Sequence, residues 1–120
     1  MNLCNIRVVK DLMARYGTDT KKGFGQNFLI NPAVPENIAD ESYGYHRERN
    51  YGKESAVLEI GPGIGALTCQ LCERYDKVVA VEIDRTLIPI LDETLAEYDN
   101  IKVVNEDFMK LDLKSFIKEN

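Results

Sequence analysis

The sequence holds no tryptophan, one histidine (His46), four prolines and three cysteines, and it has no long apolar run. A bilayer-spanning helix needs roughly 18 or more consecutive apolar residues, and none are present, so membrane insertion is not expected. Met1 to Lys10 carries Arg7 and Lys10 where an export signal would need an uninterrupted apolar stretch, which points to a cytoplasmic chain. Three cysteines (Cys4, Cys69, Cys72), an odd number, argue for free thiols over a disulfide framework. Cys69 and Cys72 form a C-x-x-C, but a glycine-rich segment holds the place where a redox motif would sit. Zinc would need about four ligands, and only Cys4 and His46 are left to complete a set, so these read as ordinary helix cysteines. Positive charge is also short. The net charge is −5, a poor signature for a nucleic-acid binder taken whole. The deficit is uneven, however. In residues 1–30, Arg7, Lys10, Arg15, Lys21 and Lys22 face only Asp11 and Asp19, which leaves +3 there and −8 on the other 90 residues. A local basic segment, Arg15 to Lys22 with Lys21 and Lys22 at its end, is thus a candidate for meeting phosphate, with a solvated loop as the plainer alternative.

At 120 residues the chain suits one domain with a modest core. Ile6, Val9, Met13 and Tyr16 recur at helical spacing and Gly17 follows as a cap, which predicts a short amphipathic helix. Thr18 to Pro35 is rich in Gly, Asn, Pro and Lys with Phe24, Phe28 and Leu29 interspersed, which suits an ordered covering loop. A second helix is expected from about Pro35 to Tyr43. Gly44 to Ser55, which includes His46, reads as a polar surface connection with a solvated histidine. From Ala56 the pattern becomes that of a βαβαβ unit. Continuous apolar runs at Ala56 to Ile60, Val78 to Ile83 and Ile101 to Asn105 predict parallel strands covered on both faces. Helices are expected near 64–75 and 86–98, with Pro89 in or near a first turn, and a last short one over Leu113 to Lys118. The chain divides after residue 55, into an N-terminal region of helices and covering loop (residues 1–55) and an α/β region (residues 56–120).

Three features fall at the C-terminal ends of the three strands, where open α/β sheets bind ligands. Gly61, Gly63 and Gly65 allow a sharp turn from strand to helix and let a ligand approach the backbone. Glu82 ends the second strand about 20 residues later, where a carboxylate can accept both hydroxyl protons of a ribose. Asp107 follows the third strand, where it can accept from an adenine amino group. For Glu59 and Glu82 the plainer alternative is a solvated strand-end carboxylate, and for Asp107 a helix cap or turn. A nicotinamide or flavin enzyme shares this outline, but its fingerprint is G-x-G-x-x-G, and the loop here, Glu59-Ile60-Gly61-Pro62-Gly63-Ile64-Gly65, reads G-x-G-x-G behind an acid. A carboxylate there repels a pyrophosphate and suits a ligand with an ammonium beside a positive sulfonium, such as S-adenosylmethionine.

Four segments together resemble the ribosomal RNA adenine dimethyltransferases: Lys22-Gly23-Phe24-Gly25-Gln26-Asn27-Phe28-Leu29, then Leu58 through Thr68, then Ala80-Val81-Glu82-Ile83-Asp84, then Asn105-Glu106-Asp107. The resemblance covers nearly the whole chain apart from residues 44–55. It implies a Rossmann-like class I methyltransferase fold, of which residues 56–120 supply the first three parallel strands with flanking helices. It implies S-adenosylmethionine as cofactor, met by Asn27 and Leu29 from the N-terminal loop, by Gly61 in the turn, by Glu82 at the ribose and by Asp107 at the adenine. Glu59, Gly63 and Ile83 count to the same site. The implied activity is dimethylation of exocyclic amines of adenosines in ribosomal RNA, with a wording closer to the small-subunit enzymes than to those that act on the large subunit. The family's catalytic Asn-Leu-Pro-Tyr, at the end of a fourth strand, does not occur in these 120 residues, nor does a helical C-terminal domain. Asn31-Pro32-Ala33-Val34 lacks the aromatic and reads as an X-Pro turn before a helix. The chain is therefore expected to be the cofactor-binding portion of an enzyme and inactive alone. Its first strand would be an open apolar edge prone to dimerisation. A stand-alone cofactor- or RNA-binding module is the alternative, and a nicotinamide-dependent oxidoreductase a more distant one.

Overall fold

The computed structural model describes residues 2–17, 31–50 and 54–120. Helix α1 (Ile6–Arg15) starts at Asn5, whose side chain accepts from the amides of Arg7 and Val8. It ends at Gly17, whose φ of 66° is the left-handed conformation that closes a helix. Its buried face is Val9, Leu12 and Met13, while Ile6 and Tyr16 lie at its rim, so the expected helix is present with Leu12 at its centre.

Helix α2 (Ala33–Asn50) departs from expectation at both ends. Asn31 caps it through Ala33, and Pro35 sits buried in its first turn, where a missing N–H is tolerated, so the helix begins two residues early. It then runs on through Gly44 to Asn50, across the stretch expected to be a surface connection. Tertiary packing overrides local polarity here. The Tyr43 ring meets the Tyr75 ring edge-on at 5.2 Å, His46 lies 5.7 Å from Tyr75, and the Ser42 and Tyr75 hydroxyls are bonded. Arg47 and Arg49 occupy the last turn, where cations suit the helix dipole. His46 is therefore a half-buried helix residue and not a solvated loop one.

Strands β1 (Ala56–Ile60), β2 (Lys77–Val81) and β3 (Ile101–Val104) form a parallel sheet in the order β1-β2-β3. Ala56 pairs with Lys77 and Val78 with Ile101. The β2 run is one residue early at its start and stops before Glu82, although the Glu82 amide still donates to Val104 O at 2.9 Å. The helices between them, α3 (Ala66–Cys72) and α4 (Ile88–Thr94), are shorter than expected, with Pro89 in the first turn of α4 and a 3₁₀ turn over Arg85–Leu87 before it. Helix α5 (Leu113–Glu119) closes the chain.

Alternation along the strands assigns the layers. Val57, Val78 and Ile101 pack with Ala39 of α2 and with Leu71 and Cys72 of α3. Leu58, Val79, Val81 and Val104 pack on the other face with Phe116 of α5. A third cluster joins Val9, Leu12 and Met13 of α1 to Ile64, Ala66, Leu87 and Ile90, so α1 is seated against the glycine turn and α4.

Candidate functional site

Beyond Ile60 the chain turns through three glycines with positive φ: Gly61 at 72°, Gly63 at 61° and Gly65 at 98°. The Gly61 amide donates to Val81 O at 2.9 Å and Gly65 to Pro62 O at 3.0 Å, which holds the turn against the end of β2 before it enters α3. A side chain at Gly61 would meet nothing within 4 Å, so its backbone borders open space. Gly65 is closed instead. A Cβ there would lie 3.0 Å from Thr94 Oγ1 and 3.3 Å from Leu95.

Glu82 is 5% exposed and reaches under this turn. Its Oε1 accepts from the Gly63 amide at 3.2 Å and its Oε2 from the Asp84 amide at 2.9 Å. Each carboxylate oxygen has two acceptor positions, so one on each stays available to a pair of ligand hydroxyls. The segment after β2 is held by Asn105, whose Nδ2 donates to the carbonyls of Glu82 at 2.8 Å and Ile83 at 3.3 Å. Ile83, beside it, is 64% exposed, and Ile60 is also exposed at the end of β1, which leaves apolar side chains along the C-terminal edge of the sheet. Asp107 accepts from the Met109 amide through Oδ1 at 3.0 Å and caps the 3₁₀ turn Phe108–Lys110, so the capping role weighed for it is present.

Glu59, half-buried, also differs from a solvated strand-end acid. Its carboxylate accepts from Thr68 Oγ1 at 2.5 Å, inside the first turns of α3. Burial pushes the carboxyl up to about 7; the Thr68 hydrogen bond offsets part of this, and the neighbouring Glu82 adds to it. Among the described residues neither Glu59 nor Glu82 takes part in an ion pair. Two carboxylates thus flank one turn without a cation, an arrangement that favours a positively charged ligand and opposes a pyrophosphate.

Gly61, Gly63, Glu59, Glu82, Ile83 and Asp107 all fall on this one end of the sheet, as their sequence positions predict. Asn27, Leu29, Lys21 and Lys22 lie outside the described residues. Thr68 and Asn105 fall in the family-like segments without a site role of their own, and Thr94 falls outside them, since a lone Thr or Asn in a helix or strand end carries no periodic signal. Cys69 and Cys72 lie on α3, and burial raises their thiols to about 11 and about 12, so neither is a thiolate near neutral pH. Among the described residues an apolar groove of about 450 Å³ lies elsewhere, along Ala56, Val57 and Leu58 of β1 and Phe116 and Ile117 of α5.

Comparison with known proteins agrees with this geometry. Ribosomal RNA small subunit methyltransferase A of Bacillus mycoides (strain KBAB4) is 52% identical over 110 residues, which are 92% of this chain and 35% of that protein. The same protein of Bacillus cereus (strain B4264) matches equally. The chain thus spans about 35% of the length of these curated relatives. Among solved structures, the 23S rRNA methyltransferase ErmE is 34% identical with a TM-score of 0.56, over 68% of this chain and 30% of that one. The N-terminal domain of EvdMO1, solved with SAH bound, is 15% identical with a TM-score of 0.64 over 93% of this chain and 50% of that one, which is a likeness of fold alone. The architecture is that of the class I methyltransferases, as expected. The family model described as ribosomal RNA adenine dimethylase matches residues 17–120, so the chain belongs to the ribosomal RNA adenine dimethylase family.

Proposed function

We propose that this chain is the cofactor-binding portion of an S-adenosylmethionine-dependent enzyme that dimethylates exocyclic amines of adenosines in small-subunit ribosomal RNA during ribosome biogenesis. One observation carries the reading: two carboxylates, Glu59 and Glu82, sit beside the glycine turn without a cationic partner among the described residues. The cofactor supplies an electrophilic methyl group on a sulfonium. Glu59 holds the ammonium of its amino-acid end, and the open backbone at Gly61 lets that end approach closely, with Gly63 beside it in the turn. Glu82 orients the ribose through the lone pairs not used by Gly63 and Asp84. Ile83 gives the adenine an apolar face, and Asp107 accepts from its amino group. Asn27 and Leu29 complete the site from residues 1–55, which act as an N-terminal cover over the α/β region of residues 56–120.

The partner is small-subunit ribosomal RNA or its precursor particle in the cytoplasm, with Lys21 and Lys22 meeting phosphate. The exposed β1 edge supports self-association. Two measurements test the reading. Calorimetry of the protein at its native length is expected to show binding of S-adenosylmethionine and none of NAD; binding of NAD alone would overturn it in favour of an oxidoreductase. Methyl transfer from labelled cofactor to small-subunit RNA is then expected, and cofactor binding without transfer would point to a non-catalytic module.

A further inference from the structure

Consecutive residues at the end of α4 are tied to two different regions of the molecule. Thr94, 5% exposed, donates from Oγ1 to Ile64 O at 2.8 Å, and its own carbonyl accepts from Cys69 Sγ at 3.8 Å. The same hydroxyl borders Gly65, at 3.0 Å from where a Cβ would stand. Glu93 is gripped from the other side. Arg15 Nη1 and Nη2 donate to its two carboxylate oxygens at 3.0 and 2.8 Å, and the Tyr16 hydroxyl donates to Oε1 at 2.8 Å. The paired cation and hydroxyl hold this carboxyl below the usual range.

Within the glycine turn itself the Gly65 amide to Pro62 carbonyl bond is the tie between its own residues that the structure shows. The turn's glycines gain their left-handed conformations at no steric cost but are equally free to leave them. The carbonyl of Ile64, between two such glycines, accepts from the Thr94 hydroxyl, and a buried acceptor that loses its donor drives the chain to rearrange. Movement at Ile64 would carry with it the Gly63 amide, which is bonded to Glu82. We infer that Thr94 is a positioning residue that sets the cofactor turn through Ile64, and that the Arg15–Glu93–Tyr16 contact anchors the helix turn on which Thr94 stands. Neither residue touches the cofactor. This inference rests on the cofactor reading above, and wild-type binding of S-adenosylmethionine serves as the control that separates failure of one from failure of the other.

The test compares T94V, T94S and E93Q in the protein at its native length, well below each variant's melting temperature. Valine keeps the volume of threonine and lacks the hydroxyl. The expected result is a cofactor dissociation constant raised about tenfold in T94V and restored to within about twofold of wild type in T94S, as loss and return of one buried hydrogen bond require. A rise of about threefold in E93Q that fades at high salt is expected from loss of the exposed ion pair. Melting temperatures that fall while affinities stay at the wild-type value would assign these residues a purely structural role and overturn the proposal, as would T94S binding as weakly as T94V. If T94V does not fold, E93Q decides: weakened binding supports the proposal and unchanged binding overturns it.

Discussion

Glu59 illustrates how much a single half-buried acid settles. Desolvation pushes its carboxyl up to about 7 from an ordinary 4.5, so the folded state holds the proton more tightly than the unfolded one. The resulting stabilisation is complete below about pH 4.5 and is lost as the pH rises through about 7. The ligand-free protein should thus melt lower at pH 8 than at pH 6, and Glu59→Gln should remove that difference while gaining about 1–2 kcal/mol at pH 8. The same substitution should weaken S-adenosylmethionine by about 10–100-fold, the worth of a charge-assisted bond to the ammonium. Cofactor binding at pH 7 should release a fraction of a proton, seen as a calorimetric enthalpy that varies with the buffer; an enthalpy independent of buffer would refute the shared role. At Gly65 and Gly61 the backbone supplies a contrast. Both have positive φ, but only at Gly65 would a Cβ meet neighbours. Urea unfolding should show Gly65→Ala losing about 2–4 kcal/mol and Gly61→Ala about 1 kcal/mol, since strain is common to both and overlap is not. The gathering of Glu59, Gly61 and Glu82 at one end of the sheet was legible because an acid, spaced glycines and a second acid about 20 residues on form a pattern. Thr68 and Thr94 were not, since their roles arise only when helices from separate regions of the chain come together.

Element boundaries show where local signals lose to packing. The three strands were legible as short apolar runs, and α1 as a helical period ending at a glycine. Helix α2 was not, because Gly44 and the charged residues after it favour a turn when considered alone, and the rings of Tyr43 and His46 against Tyr75 reverse that preference. The Arg74–Asp40 ion pair at 2.7 Å adds a second tie between α2 and the end of α3. Gly44 stands mid-helix with no neighbour within 4 Å of a built Cβ. Gly44→Ala should therefore stabilise the protein by about 0.5–1 kcal/mol, read as a higher melting temperature, and destabilisation would argue against a continuous helix.

At the scale of the molecule, β1 lies at one edge of the described sheet, and the apolar groove beside it is bounded by Ile117, 62% exposed. An apolar edge strand invites pairing with another chain. Light scattering of the 120-residue chain should show mass rising with concentration, and Ile117→Lys should reduce that rise without lowering the melting temperature, because the side chain is exposed. A monomer at all concentrations would count against the edge as a contact surface. Opposite in character is the C-terminal rim of the sheet, where the acids and glycines gather beside the exposed Ile60 and Ile83.

By itself the sequence determined the α/β class, the order of the strands along the chain, the acidic glycine turn and the family to which these belong, because each is written in residues close together or in fixed spacings. Tertiary structure alone decided that α2 reaches Asn50, that Glu59 is half-buried against Thr68, and that α4 joins α1 to the glycine turn through Glu93 and Thr94. Those facts depend on contacts between residues far apart in the chain, and desolvation and hydrogen-bond satisfaction come into force only once such residues meet.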